Sequence, residues 1–150
     1  MRLETEIVID RQPEQVWHYL KSVSNIAKWD HGVERTQITK DNSEYGVGTE
    51  FDTYARQDGD DWGRMSYRVA RVENDSCTVQ LTSSDGNARF FKEAWWTFRT
   101  RPHEKGTHLT CIADFTLRLP YIFLAPILYL KKDTAIGGDL ESLKRAIESE

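Results

Sequence analysis

The chain has 150 residues and a mass of 17.5 kDa, the length of one ordinary domain. Hydrophobic residues make up 39% of it and charged residues 29%, with 9 Gly and 4 Pro, which excludes a disordered, collagen-like or low-complexity protein. The net charge of −4 argues against a protein that binds nucleic acid through phosphate contacts. We therefore expect one domain over residues 1–150 and no nucleic-acid partner.

The cysteine content and the apolar runs bear on the compartment. Cys77 and Cys111 stand alone in the sequence, which predicts neither a disulfide framework nor a zinc knuckle. Residues 1–6 are charged and lack the apolar run of a signal peptide. The longest apolar run, 121–130, is shorter than the roughly 20 residues that a membrane span needs. These features predict a cytoplasmic protein without a transmembrane segment.

The first thirty residues predict one strand and two short helices. Apolar and polar residues alternate over 3–10, which is typical of a half-buried strand. Pro13 followed by Glu14 predicts the start of a helix, since proline fits the first helical position and an acid fits the first turn. Ser24 is a suitable cap for a second short helix that ends at Trp29.

From about residue 33 to 117 the apolar period becomes two, and this predicts six further strands joined by hairpins. The turn signals are Asp41-Asn42-Ser43, Asp58-Gly59-Asp60, Asn74-Asp75, Asp85-Gly86 and His103-Glu104-Lys105-Gly106. Hairpins make an antiparallel sheet, here of seven strands. The predicted fold class is α+β, because a C-terminal amphipathic helix must bury its apolar face on that sheet.

One long helix is predicted after Pro120. Its second half is amphipathic, with Ile136, Leu140, Leu143 and Ile147 on one face, whereas residues 121–130 are apolar on all sides. Pro126 should kink the helix or restart it. The pair Gly137-Gly138 falls within the predicted helix, where it allows either close packing on the sheet or space for a ligand.

Two hairpin registers predict which residues share a face. With a two-residue turn at Asp85-Gly86, Val79 pairs with Lys92. If Phe98 pairs with Leu109, Lys92 also pairs with Phe115. Both registers place Lys92 on the inner face, where a lysine most often extends its amine to the rim. The residues that share this face are Phe90, Lys92, Ala94, Trp96 and Phe98, and those left on the outer face include Phe91 and Trp95.

The strand 62–73 has two possible faces. A three-residue loop at Asn74-Asp75 would direct Met65, Tyr67 and Val69 inward, and we favour this apolar alternative. A two-residue loop would instead direct Arg64, Ser66 and Arg68 inward. Arg68 would then be a candidate to bind an anionic or enolate oxygen.

Four motifs resemble the START-like (SRPBCC) superfamily, in its polyketide cyclase/dehydrase-like branch. They are Ile7-Val8-Ile9-Asp10-x-x-Pro13-Glu14-x-Val16-Trp17-x-x-Leu20 followed by Trp29, Gly46-Val47-Gly48-Thr49-Glu50-Phe51, Gly106-Thr107-His108-Leu109-Thr110, and Asp139-Leu140-Glu141-x-Leu143-Lys144-x-x-Ile147-Glu148. The resemblance implies the helix-grip fold of START-like and Bet v 1-like proteins, in which a curved seven-stranded sheet wraps a long C-terminal helix around an internal cavity. It implies a small apolar or amphipathic ligand in that cavity. The family has no shared catalytic signature, so the resemblance identifies no catalytic residue.

Three hypotheses for function follow. The first is a binding module for a small hydrophobic or aromatic ligand, lipid-like or polyketide-like, without a cofactor and without a metal, since the histidines lack metal-ligand spacing. The candidate ligand-binding residues are Trp29, Phe51, Tyr67, Arg68, Lys92, Trp96, Phe98, Phe115, Ile127 and Leu130.

The second hypothesis is a cyclase/dehydratase-type enzyme that folds and orients a flexible substrate, with Tyr67, Arg68 and Lys92 as the residues to test. The third is a module that contacts a protein or a membrane surface through residues 121–130 or Trp95, as a monomer or a homodimer. A buried polar side chain in the cavity would favour the enzyme. The orientation of Phe123, Ile127 and Leu130 separates the third hypothesis from the other two.

Overall fold

The computed structural model describes residues 1–42, 44–55, 63–131 and 137–150. The turn predicted at 58–60 and the predicted core residue Ile136 lie outside this part of the chain. The described strands are β1 (Arg2–Ile9), β2 (Val33–Lys40), β3 (Glu50–Ala55), β4 (Arg64–Val72), β5 (Ser76–Asp85), β6 (Phe91–His103) and β7 (Gly106–Leu117). The described helices are α1 (Pro13–Leu20), α2 (Ile26–Trp29), α3 (Ala125–Leu130) and α4 (Gly137–Glu148), with 3₁₀ turns at Val23–Asn25, Gly86–Ala88 and Tyr121–Leu124.

The described strands form one seven-stranded antiparallel sheet in the order β1-β7-β6-β5-β4-β3-β2. The first strand joins the last, with Leu3 opposite Ala113 and Ile9 opposite Thr107. All other neighbours are consecutive in the chain, as expected for hairpin connections. The α+β class and the seven-stranded helix-grip arrangement are therefore confirmed.

The helix α4 packs against the β1–β7 side of the sheet. Leu143 and Leu140 are buried in one cluster with Ile9 and Leu109, and Ile147 extends it. Burial of each such side chain stabilises the fold by about 1.5–3 kcal/mol. Polar contacts fix the same helix end, since Lys144 donates to the Val8 carbonyl oxygen at 2.7 Å.

A glycine closes the β6–β7 hairpin next to this helix. Gly106 has φ +135°, and a Cβ there would lie 2.4 Å from the Ile9 carbonyl oxygen. Only glycine combines that backbone angle with such a close approach. The hairpin can therefore pack against the end of β1.

The prediction of one continuous helix after Pro120 is wrong, because the helix is broken at Lys131. The helix α3 ends at Leu130, and Lys131 has φ −106° and ψ 19°, outside helical geometry. The helix α4 begins at Gly137. Gly137 and Gly138 are the first two described residues of α4, where backbone freedom costs little.

Both predicted hairpin registers differ from those in the structure, yet Trp96 and Phe98 lie on the predicted inner face of the sheet. Val79 pairs with Trp96 and not with Lys92, because the β5–β6 connection contains the 3₁₀ turn Gly86–Ala88. Phe98 pairs with Cys111 and not with Leu109. The shifts are of four and two residues, and an even shift keeps each side chain on its face. Cys77 and Cys111 flank Phe98 from either side and are free thiols.

A β-bulge corrects the predicted start of β6. The β6–β7 pairing shifts between Phe91 and Glu93, so the alternation of side chains reverses there. Phe91 turns inward and is buried, whereas Lys92 points outward and is exposed. The predictions of an inner Lys92 and an outer Phe91 are therefore wrong.

A second bulge sets the face of β4. The turn at Asn74-Asp75 is tight, since the Glu73 N–H donates to the Ser76 carbonyl oxygen at 2.8 Å. The pairing with β5 then shifts between Val69 and Arg71. This bulge, and not a three-residue loop, directs Met65, Tyr67 and Val69 inward. Arg68 points outward and donates to Gln80 Oε1 at 3.1 Å, so the less favoured alternative, with Arg68 directed inward as a binding residue, is wrong.

Candidate functional site

A cavity of about 340 Å³ lies between the inner face of the sheet and the helices α2 and α4. This volume is at the lower end of the range typical of small-molecule sites, about 300–1,000 Å³. Strands β3 to β7 supply 11 of its 24 lining residues. The lining residues are Trp17, Leu20, Lys21, Ile26, Trp29, Asp30, Gly32, Val33, Tyr45, Phe51, Thr53, Ala55, Met65, Tyr67, Cys77, Val79, Ala88, Phe90, Phe91, Trp96, Phe98, Cys111, Asp139 and Leu140.

Aromatic rings in edge and stacked contacts make the cavity wall rigid. Phe51 stacks on Tyr67 with ring centroids 5.4 Å apart. Trp29 meets the edge of Phe98 at 6.2 Å, which joins α2 to β6. Phe91 and Trp96 form a second edge contact, with ring centroids 5.9 Å apart. Such pairs contribute about 0.5–1.5 kcal/mol each beyond the area they bury, so the wall is formed before any ligand enters.

Two hydrogen-bond donors, the Tyr67 hydroxyl and the Trp96 indole N–H, lie among these rings. The Tyr67 hydroxyl donates to the Met65 sulfur at 3.5 Å, a weak hydrogen bond. Burial raises the pKa of Tyr67, and the nearby Asp30 carboxyl raises it further, so the phenol stays protonated. The indole Nε1 of Trp96 is buried and makes no regular hydrogen bond among the described residues, although it lies near enough to Tyr67 to oppose that pKa shift. A buried donor without an acceptor costs about 1–3 kcal/mol.

Two carboxyl groups line the cavity at the α2–α4 side. Asp30 follows α2 and accepts the Gly32 N–H at 2.9 Å. Burial raises the pKa of Asp30 despite this hydrogen bond. Asp139 lies in the first turn of α4. Burial and then the negative charge of Asp30 raise the pKa of Asp139 to about 6, against the opposing effect of His31. The two carboxyls thus hold a proton more readily than exposed aspartates do.

The cysteine thiols of the wall are not activated. Burial raises the pKa of Cys77 to about 11 and that of Cys111 to about 12. Both are protonated at neutral pH, and a protonated thiol is a poor nucleophile. They therefore act as small apolar wall residues.

The structure separates the ten predicted binding residues into three groups. Those that line the cavity are Trp29, Phe51, Tyr67, Trp96 and Phe98. Phe115 faces the same side but is buried behind Phe91, with ring centroids 5.3 Å apart, so its predicted place in the lining is wrong. Arg68 and Lys92 lie on the outer face of the sheet, so the second group consists of these three strand residues outside the lining.

Ile127 and Leu130 are the third group, and their predicted place in the lining is also wrong. Their side chains are 50% and 82% exposed. Phe123 is exposed as well, so residues 121–130 do not enclose the cavity. Trp95 lies on the outer face, as predicted, and is partly exposed.

Sequence reasoning missed Asp30, Asp139 and Phe91. Asp139 stands four residues before Leu143, and this spacing puts both on one helix face. A carboxylate within the apolar stripe was therefore a readable signal. No comparable signal marks Asp30, whose burial depends on the approach of α4.

Metal binding and membrane spanning find no support in the described residues. Among them, no group of three or more His, Cys, Asp or Glu side chains could hold a metal ion. No described helix has the length and apolar character needed to cross a bilayer.

Solved structures share this fold over nearly the whole chain. A START superfamily protein from Mycobacterium smegmatis has a TM-score of 0.80 at 13% identity, covering 99% of this chain and 97% of that one. A protein from Thermus thermophilus has a TM-score of 0.79 at 16% identity, with coverages of 99% and 98%. The Zhui aromatase/cyclase from a Streptomyces species has a TM-score of 0.74 at 12% identity, with coverages of 99% and 93%. At these identities the likeness is one of fold.

The sequence comparisons differ in what they match. No curated protein sequence matches this chain. The sequence model of one family matches residues 1–148 and is described as polyketide cyclase / dehydrase and lipid transport. This match spans almost the entire chain and agrees with the motifs, the sheet order and the cavity. The chain therefore belongs to the polyketide cyclase/dehydrase and lipid transport family.

Proposed function

We propose that this protein binds a small hydrophobic or aromatic molecule, lipid-like or polyketide-like, in the cavity between the sheet and α4. The observation that carries the proposal is the buried indole N–H of Trp96, which has no regular acceptor in an otherwise aromatic wall. An acceptor oxygen on a bound molecule would remove this cost. The ligand expected here has a flat apolar body and a carbonyl, ether or hydroxyl oxygen near Trp96 and Tyr67.

The charges of the wall support the same ligand class. The two cationic candidates, Arg68 and Lys92, lie on the outer face of the sheet and not in the cavity. The charged side chains of the lining are Lys21, Asp30 and Asp139. The aromatic part of the wall thus carries no formal charge, and it fits an uncharged ring system better than an anionic headgroup.

The test combines extraction with titration. Purified protein is denatured, and the extract is analysed by mass spectrometry for a small molecule at near-stoichiometric yield. The protein is also titrated with Nile red, an uncharged fluorescent probe of apolar cavities. We expect saturable probe binding. An empty extract together with no saturable probe binding would contradict the proposal.

A pair of variants on one strand supplies the matched control. Val79 lines the cavity, so Val79→Phe should fill it and weaken probe binding. Thr78 is the neighbouring residue and faces outward, so Thr78→Phe adds the same ring to the other face. Equal loss of probe binding in both variants would indicate a general effect on folding, which circular dichroism would reveal.

A cyclase/dehydratase-type activity is the second candidate. Asp30 supports it, because its raised pKa and its proximity to the Tyr67 phenol put a proton-exchanging carboxyl beside two hydrogen-bond donors. In this role Asp30 would transfer a proton, and Tyr67 and Trp96 would stabilise an enolate oxygen. The cavity would contribute by holding a flexible chain in a reactive conformation.

The Asp30→Asn variant tests this activity. If Asp30 transfers a proton, the variant should co-purify with an unreacted compound whose mass differs from that of the compound bound to the wild type. Asp41→Asn, at an exposed carboxyl in the β2–β3 connection, is the control. The same compound from wild type and Asp30→Asn would leave binding alone as the function.

A further inference from the structure

The segment 119–130, called here the apolar patch, exposes a large apolar surface. Leu119, Phe123 and Leu130 are 78%, 79% and 82% exposed. The other exposed members are Tyr121, Ile122, Leu124, Ile127 and Tyr129. These side chains together expose on the order of 800 Å², whereas the largest patch on a typical monomer is about 300–600 Å².

Local structure explains the exposure. The patch comprises a 3₁₀ turn, Tyr121–Leu124, and the six-residue helix α3. Ala125 and Leu128 pack against the cluster around Phe91 and Leu117. The remaining side chains of α3 radiate away from that contact, since a helix apolar on all sides can bury only one face on the sheet.

Cations surround the patch. The sequence has no carboxylate between Asp114 and Asp133, although the chain as a whole has a net charge of −4. Arg118 and Lys131 flank the patch along the chain, and both are exposed. The connection before β6 adds a further exposed cation, Arg89.

Direct contacts hold that connection against the patch. The Arg118 backbone N–H donates to the Phe90 carbonyl oxygen at 2.9 Å. The Arg118 Nε donates to the Phe91 carbonyl oxygen at 3.0 Å. The rings of Phe90 and Tyr121 meet edge to face, with centroids 6.4 Å apart. Arg118 and Arg89, the neighbour of Phe90, therefore lie beside the patch.

We infer that the apolar patch docks on a membrane surface that contains anionic lipid. Phe123, Leu130 and their neighbours would enter the upper acyl region, and the tyrosines suit the headgroup boundary. The surrounding cations complement anionic headgroups, each contributing about 1 kcal/mol near such a surface. A second copy of the chain fits less well, because a two-fold contact through the patch brings two sets of like charges together.

The patch also joins the cavity wall. Phe90 contacts Tyr121 of the patch and lines the cavity together with Phe91. When the protein is docked on a membrane, this part of the cavity wall would therefore lie near the lipid. The docking itself does not require that the cavity bind a ligand, so it is tested separately from the proposed function.

Vesicle sedimentation of the full chain tests the inference. Vesicles of phosphatidylcholine alone are compared with vesicles of phosphatidylcholine and phosphatidylserine in equal amounts. The wild type should sediment with the mixed vesicles, and added salt should release it, because screening weakens the headgroup contacts. The double variant Phe123→Ser/Leu130→Ser should lower the bound fraction at least about tenfold, since it removes the two most exposed side chains of the patch.

The control and the charge variant use other exposed positions. Ile38 and Val47 are 49% and 53% exposed and belong to the other edge of the sheet. Ile38→Ser/Val47→Ser should bind vesicles as the wild type does. Arg89→Ser/Lys131→Ser should weaken binding to the mixed vesicles and remove the preference for them.

Three results would overturn the inference. The first is a wild type that stays in the supernatant with both vesicle compositions. The second is a Phe123→Ser/Leu130→Ser variant that sediments like the wild type. The third is a wild-type dimer in light scattering that the same double variant converts to a monomer, with no vesicle binding by either. That outcome would assign the patch to a second copy of the chain. Circular dichroism would confirm that the variants are folded.

Discussion

The substitution Asp139→Asn should make the protein more stable at neutral pH and leave its stability almost unchanged in acid. Asp139 lines the cavity in the first turn of α4, where burial and the charge of Asp30 raise its pKa to about 6. Asparagine has the same shape and can still accept the His31 backbone N–H. It differs in remaining neutral at every pH.

The direction follows from proton linkage. A carboxyl whose pKa is raised on folding favours the folded state while it is protonated, at pH below its ordinary pKa of 3.8. That contribution is lost as the pH rises through about 6. The full shift corresponds to about 3 kcal/mol at 1.36 kcal/mol per pH unit. Asp139 is only half-buried, and screening by water reduces the expected value to about 1 kcal/mol, or about 3 °C in Tm.

Urea unfolding at a pH below this window and at a pH above it measures the effect. The difference in the free energy of unfolding between Asp139→Asn and wild type should grow by about 1 kcal/mol from the acid to the neutral condition. Glu141→Gln removes an exposed carboxylate from the same helix and serves as the control. The gain should shrink in an Asp30→Asn background, since the Asp30 charge is the second cause of the shift.

The reasoning would be refuted by a difference between Asp139→Asn and wild type that is the same in both conditions. It would also be refuted by a difference that grows toward acid, because the carboxylate would then be the form that folding favours. If Asp30→Asn left the effect of Asp139→Asn unchanged, the two carboxyls would not interact. In that case burial alone would account for the raised pKa.

Three further substitutions test the core, the β6–β7 turn and the cavity. Leu143→Ala, at a side chain with 0% exposure, should cost about 2–5 kcal/mol in urea unfolding. Gly106→Ala should lower the free energy of unfolding by at least about 2 kcal/mol, because its Cβ would lie 2.4 Å from a backbone oxygen. The control Gly32→Ala should lower it less, because the nearest atom to its Cβ would be a side-chain oxygen at 3.3 Å. Equal losses of stability in the two variants would contradict the steric argument. Trp96→Phe should weaken binding of an oxygen-bearing ligand about 3–10-fold in calorimetry, whereas Trp95→Phe on the outer face should not change it.

The order of the helices and strands could be predicted because turns and helix caps depend on residues that are close together in the sequence. Pro13 begins α1 where its missing N–H is harmless, and Glu104-Lys105 forms the turn between paired His103 and Gly106. The inner face of Trp96 and Phe98 was also predictable, although the registers were not. Their errors were even numbers of residues, and a period of two tolerates such errors.

The bulges were not predictable, because they depend on the partner strand. Nothing in the sequence around Lys92 or Ala70 differs from an ordinary strand, and each bulge becomes visible only in the pairing with β7 or β5. One extra residue reverses every side chain beyond it. This explains why Phe91 and Lys92 exchanged faces, and why Met65 and Tyr67 were assigned correctly from the wrong turn.

The environment of an all-apolar segment was equally undetermined by sequence. An apolar run over 121–130 is compatible with a cavity wall, a sheet contact or an external partner, since it has no polar face to orient it. The break at Lys131 separates this run from α4. Ile127 and Leu130 are therefore not held over the cavity by the helix that covers it.

The two bulges together determine the chemistry of the cavity. Without the shift after Val69, Arg68 would project inward, and without the shift at Lys92 an ammonium group would join it. Each cation would then be desolvated in the cavity beside the carboxyls of Asp30 and Asp139. With both cations outside, burial raises the pKa of Asp30 and of Asp139. The aromatic wall remains uncharged for the same reason, and this is the physical basis for expecting a neutral ligand.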